Sequence, residues 1–352
     1  MTPRTTLTAA VLLLAALAAC RRDPGGGKVV SRRVLMGTEV TVTAWDEIQT
    51  VPDIEKAVEA AFDRMDALED VLSKHEADSE LSALNRRAGQ GPTRVGEEIW
   101  RVLLEAREAW RLSSGAFDPT VGPLVRLWIE AARNDRFPTE EAVRRARART
   151  GFGHVILESR DGHGGNVTLP EGFSLDLGGI AKGWIVDRGV EVLKAWGLEN
   201  VLVEAGGDLY ASGARPDGTP WRVGVQDPEA GREGLAGLAA VLAVRDRGVT
   251  TSGHYRRFST IEGKDVSHIL DPRAGRPVEQ TVLSVTVVAP TASRADGLST
   301  AVAVLGPGEG LELAESLPGV EALLLVPGDE PGSCRVLQTD GLPTAPGRPR
   351  IR

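Results

Sequence analysis

From Lys28 to Trp45 apolar and polar residues alternate, the period of two that places one face of a strand inward. Met36-Gly37-Thr38 interrupts the run as a turn, so a strand pair or one bent strand is expected. Beyond it the period changes. Ile54, Val58, Phe62, Met65, Leu68 and Leu72 recur at spacings of three and four, with Pro52 and Asp53 near the start, which predicts a long core helix. The polar run from Ser73 to Glu80 offers Asp78 or Ser79 as the cap of a short helix ending near Asn85. A further helix, Glu97 to Leu112, puts Ile99, Val102, Leu103, Ala106 and Trp110 on one side and stops at Ser113-Ser114-Gly115. Residues 139–150 read as a charged surface helix, and strands are expected around His154–Leu157 and Val167–Leu169.

The stretch from Phe173 to Tyr210 carries the strongest pattern. It predicts a strand ending in Asp176, a turn at Gly178-Gly179, a helix from Ile180 to Trp196, a strand from Asn200 to Glu204 and a second turn at Gly206-Gly207. A glycine turn that opens a helix lets backbone N–H groups approach phosphate oxygens. The same pattern, with Ile180, Trp184, Val190, Val192 and Leu193 inward, also describes an ordinary α/β packing unit. It matches neither G-x-G-x-x-G nor G-x-x-x-x-G-K-[ST]. Farther along, Trp221–Val225 reads as a strand, Leu235–Val244 as an apolar run, and Gly248–Gly253 as a hydroxyl-bearing turn. A hairpin is expected around Glu262-Gly263-Lys264, and a strand over Thr281–Val288. A helix bearing Asp296, Ser299 and Thr300 is expected to run to Leu305, before a last helix–strand unit ending near Val326.

Composition changes this picture at the two ends. Net charge is −8 over 352 residues and becomes −9 without Arg4, the one charge in residues 1–19, which argues against a general nucleic-acid binder. The apolar run Ala9–Ala19 is too short to span a bilayer, and Leu17-Ala18-Ala19-Cys20 resembles a bacterial lipobox. Residues 1–19 are therefore expected to be a lipoprotein signal peptide, Cys20 the lipidated residue, and 20–29 a flexible tether. A plain secretory signal is the alternative, and both take the folded part out of the cytoplasm. With Cys20 acylated, only Cys334 remains, which excludes an internal disulfide and a thiolate metal site. Residues 331–352, ending in a Pro/Gly/Arg-rich run, are expected to be a disordered tail.

Three features carry candidate chemistry. Asp296 and Thr300 lie four apart, on one face of a helix, and offer hard oxygen donors suited to Mg²⁺; the alternative is a solvated helix face or a cap. His268, beside Asp271-Pro272, could move a proton or be a satisfied turn histidine. Asp176 and Lys182 flank the glycine turn and could bind a polar ring and a phosphate, or cap the turn and sit at the surface. His75 in its polar loop, and the proline-restrained loop Gly115–Leu124, could contact a ring system or be solvated turns.

Met36-Gly37-Thr38, Asp78-Ser79-Glu80-Leu81 with Leu84-Asn85, Gly115-Ala116-Phe117-Asp118-Pro119, Asp176-Leu177-Gly178-Gly179-Ile180-Ala181-Lys182-Gly183, Gly206-Gly207-Asp208, Thr251-Ser252-Gly253, His268-Ile269-Leu270-Asp271-Pro272-Arg273-Ala274-Gly275 and Ala295-Asp296-Gly297-Leu298-Ser299-Thr300 follow one another in order. This set, across residues 30–330, strongly resembles the FAD:protein FMN transferase (ApbE-like) family, in which a lipobox is also usual. The resemblance implies an α+β, T-fold-like, two-lobed domain with FAD in its central cleft. It implies a Mg²⁺-dependent enzyme that transfers FMN from FAD to a Thr or Ser hydroxyl of an acceptor protein and releases AMP. The acceptors would be flavin-carrying subunits of membrane redox complexes, such as the Rnf and sodium-translocating quinone reductase types, on the periplasmic side of a bacterial membrane.

Carried over by motif, Met36, His75, Ala116, Phe117, Asp118, Asp176, Lys182 and Ile269 would contact FAD. The Gly179 carbonyl, Asp296, Thr300 and Ser299 would hold the metal, and His268 would be the base. His75 stands where the family often has Tyr, Trp184 likewise, and Ser299 where some relatives carry a carboxylate. Two alternatives remain at this level: an FAD pyrophosphatase giving FMN and AMP, and a flavin-binding lipoprotein without chemistry.

Overall fold

The computed structural model describes residues 26–160, 163–228, 237–253, 258–279, 281–330 and 332–345. The expected signal peptide and Cys20 lie outside the described residues. Eight strands form one antiparallel sheet in which each strand pairs with the next along the chain: β1 (Gly27–Leu35), β2 (Thr38–Asp46), β3 (Asn200–Ala205), β4 (Asp208–Ser212), β5 (Arg247–Gly253), β6 (Ser284–Ala289), β7 (Glu321–Pro327) and β8 (Cys334–Gln338). The helices are α1 (Val51–Leu72), α2 (Glu80–Arg86), α3 (Glu97–Leu112), α4 (Gly122–Arg133), α5 (Glu140–Arg147), α6 (Ala181–Ala195) and α7 (Ala292–Ser316).

The alternation in β1 and β2 folds as expected, and Met36 and Gly37 close the hairpin with φ of 54° and 67°. Two consecutive positive φ values are the geometry whose twist matches paired strands. The apolar stripe of α1 packs on α6 and on the first strands, where Phe62 and Met65 are wholly buried. Truncating such a side chain as Phe62 to Ala costs about 3–5 kcal/mol. Helix α7 covers β6 and β7 through Leu298, Val302, Val285, Val287 and Leu324. The opposite face of those strands packs Val288, Leu323 and Leu325 against a hairpin of Trp221–Gln226 and Leu238–Val244. Strands buried on both faces carry no polar alternation, which is why β6 and β7 read as apolar runs.

Four expectations change. Phe173–Asp176 is not a strand: Asn85 donates from Nδ2 to the Leu175 carbonyl and accepts the Leu175 N–H, and the Asp176 N–H goes to the Pro119 carbonyl, so the segment finds its partners without a neighbouring strand. Gly248–Gly253 is not a turn but most of β5, paired on both sides through Val249 and Thr250. Helix α4 has no counterpart in the sequence pattern; Gly122 and Pro123 read as loop, yet Pro is well suited to a helix's first turn. The expected disordered tail contains β8, which pairs with β7 from Cys334 to Gln338. The break after Leu305 is as expected: Gly306, with φ of 77°, and Pro307 kink α7.

Candidate active site

Helices α6 and α7 cross so closely that a Cβ built on Gly183 would stand 2.3 Å from the Ala292 carbonyl oxygen, which makes glycine obligatory there. At this crossing each helix satisfies the other's first turn. Asp187 of α6 accepts the N–H groups of Ala292 and Ser293 at 2.8 and 2.9 Å, and Asp296 of α7 accepts the Gly183 N–H at 3.1 Å. The first N–H groups of a helix have no partner within it, so these carboxylates both cap and align the pair. One consequence departs from expectation: the start of α6 is partly taken inside the protein, because Gly183 is capped by Asp296 and the Gly178 N–H bonds to Asp176 Oδ1 at 3.0 Å.

The glycine turn then runs beside the next turn of α7. A Cβ on Gly179 would lie 2.9 Å from Thr300 Oγ1 and 3.3 Å from the Phe117 ring. Gly179, Asp296, Thr300 and Phe117, far apart in sequence, therefore occupy one locality. Asp296 is buried, and burial together with the nearby Asp208 carboxylate holds it well above the usual carboxylate range, against the opposing pull of Lys182 and the Gly183 N–H. Asp208, 2 % exposed, is also raised by burial and is opposed by its ion pair with Lys182. Two buried carboxylates sharing one lysine leave excess negative charge, which a cation would relieve.

These residues fit Mg²⁺. Among the described residues no three His, Cys, Asp or Glu side chains gather into a metal cage. A carboxylate, a hydroxyl and the backbone of a glycine turn are the sparse oxygen set that Mg²⁺ accepts when substrate phosphates and water supply the rest. Ser299 fits less well. Its hydroxyl donates to the Asp296 carbonyl at 2.9 Å and is bonded to Ser252 Oγ at 2.7 Å, so it is engaged within the packed helix.

The residues expected around the flavin are spread over several supports. Phe117 is buried beside the glycine turn and Ala116 is buried next to it in sequence, while the Asp118 carboxylate is engaged by protein donors: Oδ1 accepts from the Thr120 N–H and hydroxyl, and Oδ2 from the Phe152 N–H. Asp118 thus holds its own loop, and burial raises it despite these donors. Asp176 pairs with Lys74 at 2.6 Å, which brings the loop bearing exposed His75 to the glycine turn. Met36 donates its N–H to Glu69 at 2.6 Å, and its turn lies near Gly206, where a Cβ would meet Thr38 Oγ1 at 2.5 Å.

His268 and Ile269 sit on a different support. They follow the hairpin Phe258–Ile261 and Lys264–Ser267, whose Glu262 N–H bonds to Asp135 and whose side chain accepts from the Phe137 N–H. His268 is exposed, whereas Ile269 is buried and its carbonyl accepts the Val278 N–H. The hairpin before the expected base is thereby tied to the segment after α4, while Ile269 itself packs in one apolar cluster with Ala295 and Leu298 of α7. Sequence reasoning missed Asp208, Lys74, Asp187 and Ser252. Asp208, directly after a glycine pair, and Ser252, within Thr251-Ser252-Gly253, carried a signal as members of the motif set.

The chain matches the model of the ApbE family over residues 36–324. It is 36 % identical over 278 residues to an FAD:protein FMN transferase of Vibrio cholerae, covering 78 % of this chain and 81 % of that protein. The corresponding figures for the Treponema pallidum protein of the same name are 34 % over 305 residues, 84 % and 83 %. Among solved structures, the flavin transferase ApbE of Vibrio cholerae superposes with a TM-score of 0.75 at 31 % identity, covering 90 % of this chain and 98 % of that one. The ApbE protein of Thermotoga maritima does so with 0.77 at 29 %, covering 89 % and 97 %. The chain belongs to the ApbE family.

Proposed function

We propose that this protein is an FAD:protein FMN transferase that moves the FMN part of FAD onto a Thr or Ser hydroxyl of an acceptor protein. The observation that carries the reading is the meeting of Gly179, Asp296 and Thr300 at one point, with Lys182 and Asp208 alongside. In the transfer, the acceptor oxygen forms a bond to the FMN phosphorus, the pyrophosphate P–O bond to AMP breaks, and AMP leaves with the bridging oxygen. Asp296, Thr300 and the Gly179 carbonyl would hold Mg²⁺, which supplies charge neutralisation at the phosphoryl oxygens. Lys182 adds positive charge beside the turn, Phe117 offers an apolar wall, and His268 takes the hydroxyl proton.

The protein acts outside the cytoplasm, held to a bacterial membrane through lipidated Cys20, on flavin-carrying subunits of membrane redox complexes. That reading rests on the Leu17–Cys20 motif. No helix among the described residues is long and apolar enough to cross a membrane.

The test is incubation of the chain lacking residues 1–19 with FAD and Mg²⁺, with and without a flavin-acceptor domain. AMP release that requires the acceptor, with a fluorescent acceptor band, is the expected result. AMP release without acceptor would make the protein a pyrophosphatase, and tight FAD binding with no AMP in either case would make it a carrier.

A further inference from the structure

At the end of the sheet away from the Met36-Gly37 and Gly206-Gly207 turns lies an exposed apolar cluster that neither the core nor the flavin site uses. Ile48 is 91 % exposed, Trp196 47 % and Val51 42 %. They are neighbours through shared partners: Gln49 Nε2 donates to the Trp196 carbonyl at 3.1 Å, and Gln49 links Ile48 to the segment entering α1. The Asp46 carboxylate accepts the N–H groups of both Ile48 and Gln49 at 2.8 Å, fixing a tight turn. Trp196 ends α6, its N–H bonded to the Val192 and Leu193 carbonyls, so the indole stands at the helix end rather than within the core.

The chain enters the fold at the same place. A Cβ built on Gly26 would stand 2.3 Å from the Asp46 carbonyl oxygen and 2.9 Å from Glu47 Cα, and one on Gly27 would stand 3.1 Å from Val51 Cγ2. Only Arg21, Arg22, Asp23, Pro24 and Gly25 separate Cys20 from Gly26. Fully extended, that length spans about 20 Å, so lipid on Cys20 would hold this end of the molecule close to the bilayer. We propose that Ile48, Val51 and Trp196 form a membrane-docking face that rests in the lipid headgroup region. This rests on the lipid-anchor reading of Cys20. Glu47 and Glu199 are exposed nearby, so the contact is apolar and interfacial rather than an attraction to anionic lipid. Because β1 and β2 have nine residues each, the glycine turns at their other end stand roughly 30 Å from this face, directed at acceptors that project from the membrane.

The test uses the full-length chain, lipidated in a bacterial host and reconstituted into phosphatidylethanolamine–phosphatidylglycerol vesicles with brominated acyl chains. The chain has seven Trp, and docking predicts bromine quenching of roughly a seventh of the emission. That component disappears in Trp196→Phe, shrinks in Ile48→Asp and persists in high salt, while both variants keep parental flavin transfer. A mass showing lipid on Cys20 together with equal quenching in parent and Trp196→Phe would overturn docking and leave the anchor standing; a second copy seated on the face would give that same result. An unmodified Cys20 would overturn both.

Discussion

Asp118 and Asp296 are both buried aspartates raised by their surroundings, and they differ in how fully those surroundings supply them with donors. Around Asp118 the loop closes on the carboxylate with two backbone N–H groups and a hydroxyl, all from residues fixed by the same turn or by Phe152. Around Asp296 one N–H arrives, from Gly183, and the nearest charges include a second carboxylate, Asp208. A buried acid with its lone pairs occupied is a knot in the fold; one left partly supplied beside another acid is a place for a cation. The degree of completion, more than the depth of burial, separates the loop-holding acid from the candidate metal ligand.

The sharpest way to break this comparison is to neutralise each acid in turn. Asp296→Asn keeps an oxygen for the Gly183 N–H but removes the charge, so flavin transfer should fall by about 10²–10³-fold while the melting temperature changes little. Asp118→Asn replaces an acceptor by a donor facing either Thr120 or Phe152. It should destabilise the fold by about 1–3 kcal/mol and change transfer per folded molecule only a few-fold. Urea unfolding set beside AMP release at saturating Mg²⁺ checks both. Equal losses of activity at equal stability would remove the distinction.

Asp187 sharpens the comparison, being a structural cap that still titrates. Burial pushes its carboxyl up to about 6, against the Ala292 and Ser293 N–H groups that favour the carboxylate. The native state therefore holds this proton more tightly than the unfolded chain, whose Asp titrates near 3.8. The stability that comes from the group is present below that value and is lost as pH rises through about 6, an effect of up to about 3 kcal/mol. Asp187→Asn cannot titrate, so parent minus variant stability should drop between pH 4 and pH 7. Denaturant titrations across that range read it, and a difference independent of pH would show that Asp187 is not raised.

What the sequence disclosed follows the reach of each interaction. Helix α3 was legible because Ile99, Val102, Leu103 and Ala106 advertise one buried face within a single element. Strand β5 was not, because glycines flank it and both of its faces are covered, which leaves no alternation to read. Within the site, the Asp296/Thr300 pair was visible at helical spacing, whereas the cap that Asp187 gives Ala292 spans 105 residues and has no local trace. The loop-holding part of Asp118 was hidden for a similar reason: its third donor, Phe152, lies 34 residues on and enters only through folding.

Ser299 gives the smallest effect and the finest test of the same rule. Its hydroxyl is engaged by the Asp296 carbonyl and by Ser252, as the Asp118 carboxylate is by its loop, so it belongs with the completed groups even though it sits next to the metal candidates. Ser299→Ala removes one buried hydrogen-bonding group and leaves Ser252 short of a partner, a loss of about 1 kcal/mol. The Mg²⁺ concentration for half-maximal transfer should stay within about two-fold, because Asp296 and Thr300 remain. A ten-fold rise in that concentration with stability unchanged would instead make Ser299 a ligand, and proximity to Asp296 would then outweigh completed hydrogen bonding in deciding which oxygens meet the cation.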